Sequence, residues 1–468
     1  MGLFKSALLT LKDYCLNSTL AGLSYIGDSR YHVTERIFWL IFFVLAILGS
    51  HHLIMDAIQE HEGSSISMVV ESLRPLDQTD FVSVALCEMG HTKQSYKNLD
   101  TIMKQIQVSD NDDDYSYDVE DFLLRIIFHN LYNFGSIVSY CQPYVDCTTE
   151  CTKCPENNYE QFAMKVRANC TELVTQCAWN DQVFDCCKYF QPLKTTLGTC
   201  FLINSRQLTP KDGPNWLNTK MDLRTGPGSM RLEFSKAVSL FIINEEDIPH
   251  MLLTTLQFNQ QHEGTEVEIL LSLQNVINDK GVQAIDRNTR KCIFPSEQFK
   301  SSYKYYSYST CVTECLKDAQ LKVCNCTHHN MIYDKNDLTP VCDYNGLVCL
   351  DNADLIFPQT TIMQPWRTNG LVCSCLPSCS EHEVKMVGKY QRPIPEMTRK
   401  AVITLQDLPT QRYRRQAVKD DLDIVVSVGG ILSLFLGASI LSGVEFIYFF
   451  TIRLIGTSWM KRRNQRWE

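Results

Sequence analysis

Inside an otherwise apolar run, Ile424 to Ile452, the sequence sets Gly437, Ala438, Ser439, Ser442 and Gly443 near the middle and one carboxylate, Glu445, just after. Two kinds of chemistry are open to such residues. Ala438 with Ser442, and Ser439 with Gly443, have the small-xxx-small spacing that lets membrane helices approach closely. An ion path, by contrast, needs polar atoms that replace part of a cation's hydration, while a continuous helix locks its carbonyls into its own hydrogen bonds. A break at Gly437 to Ser439 would free carbonyls to face a cation. Glu445 is costly in lipid and should face a bundle interior, water or a partner cation. A cation-attracting ring and a structural ion pair are both consistent with it.

Cysteine is the other residue type that could do chemistry. Of 21 cysteines in 468 residues, all but Cys15 lie between the two apolar runs of the chain. Cys151-Thr-Lys-Cys154 and Cys324-Asn-Cys326-Thr-His328-His329 resemble zinc sites in isolation, but zinc ligation needs reduced thiolates. A dense, even set outside the cell reads as disulfides instead. The acidic run Asp110 to Asp114 lacks the Gly-containing loop of a calcium site and reads as a solvated turn. His51-His52 and His328-His329 read as interfacial or surface residues. No P-loop, G-x-S-x-G, H-E-x-x-H or dinucleotide loop is present, so the reading is a non-enzyme without metal or cofactor.

The elements that must position these residues follow from hydropathy and charge. Ile37 to Met55 carries no charged side chain and is just long enough to cross a ~30 Å hydrocarbon core. It begins too late, and ends in residues too bulky, for a cleaved signal. Ile424 to Ile452 is longer than a bilayer needs, about 43 Å as a continuous helix, which points to tilt, a break or an extension. Lys5, Lys12, Arg30 and Arg36 precede the first run; Arg453, Lys461, Arg462, Arg463 and Arg466 follow the second. This places both termini in the cytoplasm. The expected organisation is a cytoplasmic segment (1–36), a first span (37–55), a cysteine-rich extracellular domain (56–423), a second span (424–452) and a cytoplasmic tail (453–468).

The middle domain holds 35 Lys and Arg against 48 Asp and Glu, a formal −13. Such a surface repels nucleic acid and mildly attracts cations. Its sequons, Asn169-Cys170-Thr171 and Asn325-Cys326-Thr327, are glycosylation candidates, whereas Asn17-Ser18-Thr19 lies on the cytoplasmic side. Apolar spacing predicts helices within 119–138 and 159–177 and strands at 238–248 and 267–277. Helices early and strands later imply an α+β domain.

Several stretches together resemble the degenerin/epithelial sodium channel superfamily, most closely its insect pickpocket branch. They are FVSVALCEMG (Phe81, Val84, Cys87, with Val82 where proline is usual), RKCIFPSE (Arg290, Cys292, Phe294, Glu297) and YSTCVTEC (Tyr308, Cys311, Glu314, Cys315). The Cys324/Cys326 pair follows, with His328 where proline is common. LVCSCLPSCSEHE (Cys373, Cys375, Leu376, Pro377, Cys379, Glu381) and GGILSLFLGASILSGVE (Gly429, Gly430, Gly437 to Ser439, Glu445) complete the series.

The resemblance implies a membrane protein with two transmembrane helices, a large disulfide-rich α+β ectodomain and a trimeric architecture. It implies a voltage-independent, sodium-selective, amiloride-sensitive channel subunit in the plasma membrane, homomeric or joined to sibling subunits. Gly437, Ala438 and Ser439 fall on the selectivity belt and Glu445 on the inner pore. Cys342 and Cys349 join the motif cysteines as disulfide partners of unassigned pairing. Two departures bear on gating: Ala21 precedes Gly22 where the family has a His-Gly pair, and Val426 occupies a position usually small, where bulky substitution opens degenerins. Two other readings compete. Thr10-Leu11-Lys12 resembles the Thr-x-Lys signal of ATP-gated two-span channels, and a non-conducting receptor or adhesion ectodomain would use its spans only as anchors.

Overall fold

The computed structural model describes residues 2–63, 66–72, 78–90, 93–105, 113–128, 154–250, 256–297, 301–332, 340–353, 355, 371–380, 382–417, 421–453 and 455–456. The chain divides into two units. One is built from both ends, residues 1–68 and 415–468, with 279–290; the other holds residues 69–278 and 291–414.

In the unit formed by the termini, α1 (Gly2–Asn17) and the short α2 (Leu23–Gly27) lead into α3 (Val33–Gly63). From Val33 to Gln59 α3 is long and apolar enough to cross a membrane, with almost none of its surface buried. The helix runs beyond 37–55 at both ends, because 33–36 and 56–62 include no Pro or Gly, and it ends at Gly63. Near the C-terminus come α4 (Asp421–Leu436) and α5 (Ile440–Tyr448), the latter continued by a π turn, Phe449–Arg453. Only together, as a pair bent by 72°, are these two helices long and apolar enough to cross a membrane. α3 packs on α4, and a Cβ at Gly49 would lie 2.9 Å from the Phe435 ring.

The second unit is built on sheets. Within it a sheet runs Thr265–Asn278, Arg399–Leu405, Ser229–Phe234, Val174–Trp179 and Gln182–Phe184, with Glu383–Pro393 also pairing Thr265–Asn278. Period-2 alternation turns Val267, Ile269, Leu271 and Leu273 to one face, where they pack with Leu232, Phe234, Ala401 and Ile403. A five-stranded sheet orders Gln257–Gln260, Val238–Ile243, Ser83–Glu88, Gly198–Ile203 and Gln191–Thr195. Its central strand, Ser83–Glu88, is buried along its whole length. That burial on both faces explains the unbroken apolar sequence in place of alternation.

Disulfides close the irregular parts of this unit. The helix Tyr308–Cys324 starts at a Ser307/Thr310 capping box and stops at Asn325, whose φ of 57° is left-handed. Cys311 and Cys315, one turn apart, bond to Cys375 and Cys373. Four residues of helix and two of extended chain both advance about 6–7 Å, so the helix and the extended segment, running antiparallel, are joined by a ladder of disulfides. Cys292–Cys379, Cys324–Cys349 and Cys326–Cys342 extend it. Cys87–Cys200 links directly paired residues of adjacent strands, and Cys170–Cys187 and Cys177–Cys186 clip a short segment. Cys154 is also disulfide-bonded and is no zinc ligand; Cys151 lies outside the described residues.

Several local expectations change. The 159–177 stretch is helical at Tyr159–Val166 and Cys170–Leu173 but becomes a strand from Val174, where β-branched residues meet a sheet edge. The 238–248 strand ends at Ile243, ahead of Glu245, Glu246 and Asp247. The 119–138 helix is seen as Asp113–Phe128, and its remainder lies outside the described residues. Strands and helices interleave, since strands already form at 66–88 and helices return at 308–352. His328 and His329 are buried at 4% and 2% exposure, not on the surface. Asp110 to Asp112 and Glu381 are outside the described residues.

Candidate functional site

The bend between α4 and α5 is made by three residues with separate tasks. Gly437 stops α4: its φ is +62° and its N–H donates to the Ser433 carbonyl, 2.9 Å, an αL cap that a Cβ would strain. Ser439 starts α5: its hydroxyl accepts from the Ser442 N–H, 3.3 Å, while the Ser442 hydroxyl accepts from the Ser439 N–H, 3.1 Å. That reciprocal pair is a capping box. Ala438, between them, donates its N–H to Leu432, 3.3 Å.

The backbone consequence is specific. In an unbroken helix the N–H groups of Ala438 and Ser439 would hold the carbonyls of Leu434 and Phe435. Here both N–H groups donate elsewhere. Those two carbonyls are thereby released from helical pairing, beside a serine hydroxyl and no bulky side chain at 437–439.

The N-terminal segment folds back onto this break. Ala21 donates its N–H to the Leu436 carbonyl, 2.9 Å, and a Cβ added at Gly437 would meet the Ala21 Cβ at 3.5 Å. Gly22 holds a φ of +86° with the Trp39 ring 3.3 Å from where its Cβ would be, so the turn into α2 requires glycine. Thr19 reaches further: its hydroxyl lies 2.8 Å from the Ser442 hydroxyl and donates to a Glu445 carboxylate oxygen at 2.9 Å. The Thr19 N–H also points at that oxygen, 3.4 Å. Below, Tyr14 of α1 is buried edge-on against Phe446, Phe449 and Phe450, with centroids 5.4–5.7 Å apart. Asp13 pairs with Arg453 at 2.6 Å.

The structure therefore brings together Ala21, Gly22, Gly437, Ala438, Ser439 and Glu445. Val426 is not among them: it sits three turns earlier on α4, 65% exposed. The small-xxx-small residues divide. Ser442 is buried against Thr19, whereas a Cβ at Gly443 would meet nothing within 4 Å in this chain. Glu445 is held by hydrogen bonds, and among the described residues it has no ion-pair partner within the chain.

Sequence reasoning missed Thr19, Tyr14 and Asp13. In the sequence Thr19 stands out only as the end of a sequon on the cytoplasmic side. Its partners lie 423 and 426 residues away, a separation that leaves no local pattern. The stop-and-start grammar of Gly437 and Ser439 was available, since Gly at a helix end and Ser at a helix start are strong signals. Among the described residues no group of three or more His, Cys, Asp or Glu is placed to hold a metal. Asn169 and Asn325 are both exposed.

A family model for the amiloride-sensitive sodium channel matches residues 14–449. The chain is 24% identical over 478 aligned residues to sodium channel protein Nach of Drosophila ananassae, covering 95% of this chain and 87% of that one. It is 20% identical to pickpocket protein 19 of Drosophila melanogaster, over 92% and 88% of the two chains. A solved proton-activated chloride channel aligns with 89% of this chain and 96% of its own, at 8% identity and a TM-score of 0.27, too low to bear on the fold. A match over almost the whole length, with cysteines and the small-residue break inside it, leads to one conclusion: the chain belongs to the amiloride-sensitive sodium channel family.

Proposed function

We propose that this chain is a pore-forming subunit of a voltage-independent, sodium-selective, amiloride-sensitive cation channel of the plasma membrane. The observation that carries the reading is the break at Gly437 to Ser439, which releases the Leu434 and Phe435 carbonyls beside a serine hydroxyl. Repeated around the axis of a homo- or heterotrimer with sibling subunits, such a break forms a ring of oxygens that exchanges for part of a sodium ion's hydration. Gly437, Ala438 and Ser439 are the selectivity belt in this reading, and Glu445 lies on the inner path, oriented by Thr19. No covalent step and no cofactor are required.

Residues 37–55 and the bent 424–452 segment act as the two spans, with 1–36 and 453–468 in the cytoplasm and 56–423 outside. Basic flanks, the disulfides and exposed Asn169 and Asn325 support this topology. Gating is carried from the extracellular domain, by a chemical, osmotic or mechanical stimulus, with Ala21, Gly22 and Val426 as the residues that set open probability. Whole-cell recording with sodium replacement, amiloride and a panel of pH, osmotic and mechanical stimuli tests it. Sodium current blocked by amiloride is expected, alone or with sibling subunits; current evoked by ATP in cells expressing only this chain contradicts it.

A further inference from the structure

At the start of α3 a 520 Å³ cavity is lined by Tyr25, Tyr31, Thr34, Glu35, Phe38 and Trp39. Its rings stand in different planes. Tyr25 stacks on Trp39 with centroids 4.8 Å apart and planes 13° apart, while Tyr31 meets Tyr25 edge-on at 5.3 Å and Phe38 meets Trp39 at 86°. This contacting cluster, one stacked pair with edge-on neighbours, lines the cavity with ring surface, and a rounded organic cation is attracted by ring quadrupoles.

The cavity also carries a solvent-exposed carboxylate, Glu35. Glu35 has no hydrogen-bond or ion-pair partner for its carboxylate among the described residues. Of the flanking arginines, Arg36 donates its Nε–H to the Ile26 carbonyl at 3.0 Å, and the exposed Arg30 faces Asp28 at 3.8 Å. A primary ammonium would forfeit its strong hydrogen-bonded hydration against these rings. A trimethylammonium is weakly hydrated and fits apolar walls with one carboxylate nearby.

Position identifies the source of that cation. The cavity adjoins the exposed apolar surface of α3 at Ile37, Leu40 and Ile41, half or nearly half exposed each. An amphiphile with a cationic head and apolar tails satisfies both surfaces, and soluble choline satisfies only one. We infer that this cavity binds the choline headgroup of a phosphatidylcholine-type lipid at the cytoplasmic membrane face, its acyl chains lying along α3. This rests on the reading of α3 as the first span with a cytoplasmic N-terminus.

The test is native mass spectrometry of the purified full-length chain in detergent. Phosphatidylcholine, phosphatidylethanolamine and phosphatidylglycerol of identical acyl chains are added at equal concentration, with soluble choline as a separate arm. Phosphatidylcholine adducts should exceed phosphatidylethanolamine adducts about fivefold, the scale of one partly desolvated cation–π contact. Tyr25→Leu and Glu35→Gln should abolish the preference, and Tyr25→Phe, which keeps the ring, should retain it. Equal retention of the two zwitterionic lipids by the wild-type chain overturns the site, as does a preference that survives both Tyr25→Leu and Glu35→Gln. Choline displacing the lipid at equal concentration overturns the lipid source. Binding in detergent is independent of orientation, so a failed topology shows separately, as an N-terminal epitope labelled on intact cells.

Discussion

At residue scale, the small side chains between α4 and α5 are not interchangeable. Gly437 occupies a left-handed conformation that costs an L-residue about 1–2 kcal/mol. Gly443 sits in a helix with open space around it. Gly437→Ala should therefore lower the thermal stability of the purified protein and its surface expression, while Gly443→Ala should leave both unchanged or slightly improved. Thr19 makes the complementary case. Thr19→Val keeps the shape but removes the exposed hydroxyl shared by Ser442 and Glu445, a loss of about 0.5–1.5 kcal/mol. Cys15, the free thiol among the described residues, is half-buried on α1 and reports the result. Its alkylation by a membrane-permeant maleimide should accelerate several-fold in Thr19→Val and remain near wild type in Thr19→Ser.

At element scale, the packing of α3 on α4 and the disulfide ladder carry separate predictions. A Val at Gly49 drives its side chain into Phe435 and should separate the helices, lowering the melting temperature, whereas Gly429→Ala meets open space and should not. Removing Cys311 with Cys375 leaves the nested Cys315–Cys373 and Cys292–Cys379 bonds closing the same segment, so it should destabilise the disulfide-rich unit by only about 0–2 kcal/mol, read by thermal unfolding without reductant. Much at this scale was legible beforehand. The apolar runs, the Thr265–Asn278 strand and the assignment of cysteine to disulfides all follow from local composition or period. Pairing was not legible, because the partner of Cys311 depends on where an extended segment more than sixty residues later is laid down. The strand at Val174 was hidden for a similar reason: a short helical period gave way to a sheet partner, Ser229–Phe234, that only tertiary structure supplies.

At the scale of the whole molecule, buried ionisable groups tie the disulfide-rich unit to pH. Burial lowers His250 to about 4 and His328 to about 3, the latter helped by Arg167. Both stay neutral in the fold while the unfolded chain takes up protons below about pH 6.5. Stability is then lost as pH falls from about 6.5 toward 4, by a few kcal/mol at most. Glu88, Glu246 and Asp247 act in the opposite sense over an overlapping window: burial raises their pKa values, so the fold takes up protons above the pH near 4 at which the unfolded chain does, and stability is gained as pH falls. The buried histidines and the buried acids therefore pull the melting temperature in opposite directions between about pH 6.5 and 4.5, and His328→Gln should remove one destabilising contribution, raising the melting temperature at about pH 4.5 relative to that at about pH 6.5 compared with wild type. The sequence had placed His328 and His329 at the surface; a polar pair in a turn gives no local sign that helices and disulfides will close over it.

The central claim is that cations pass the break at Gly437 to Ser439. The most direct measurement is the reversal potential under sodium outside and potassium inside, in cells expressing the chain alone or with sibling subunits. Wild type should reverse at a potential set by sodium, and Ser439→Cys should shift it toward zero while the protein still reaches the surface. A reversal potential unmoved by Ser439 substitution, in every complex that contains the variant subunit, would contradict the account.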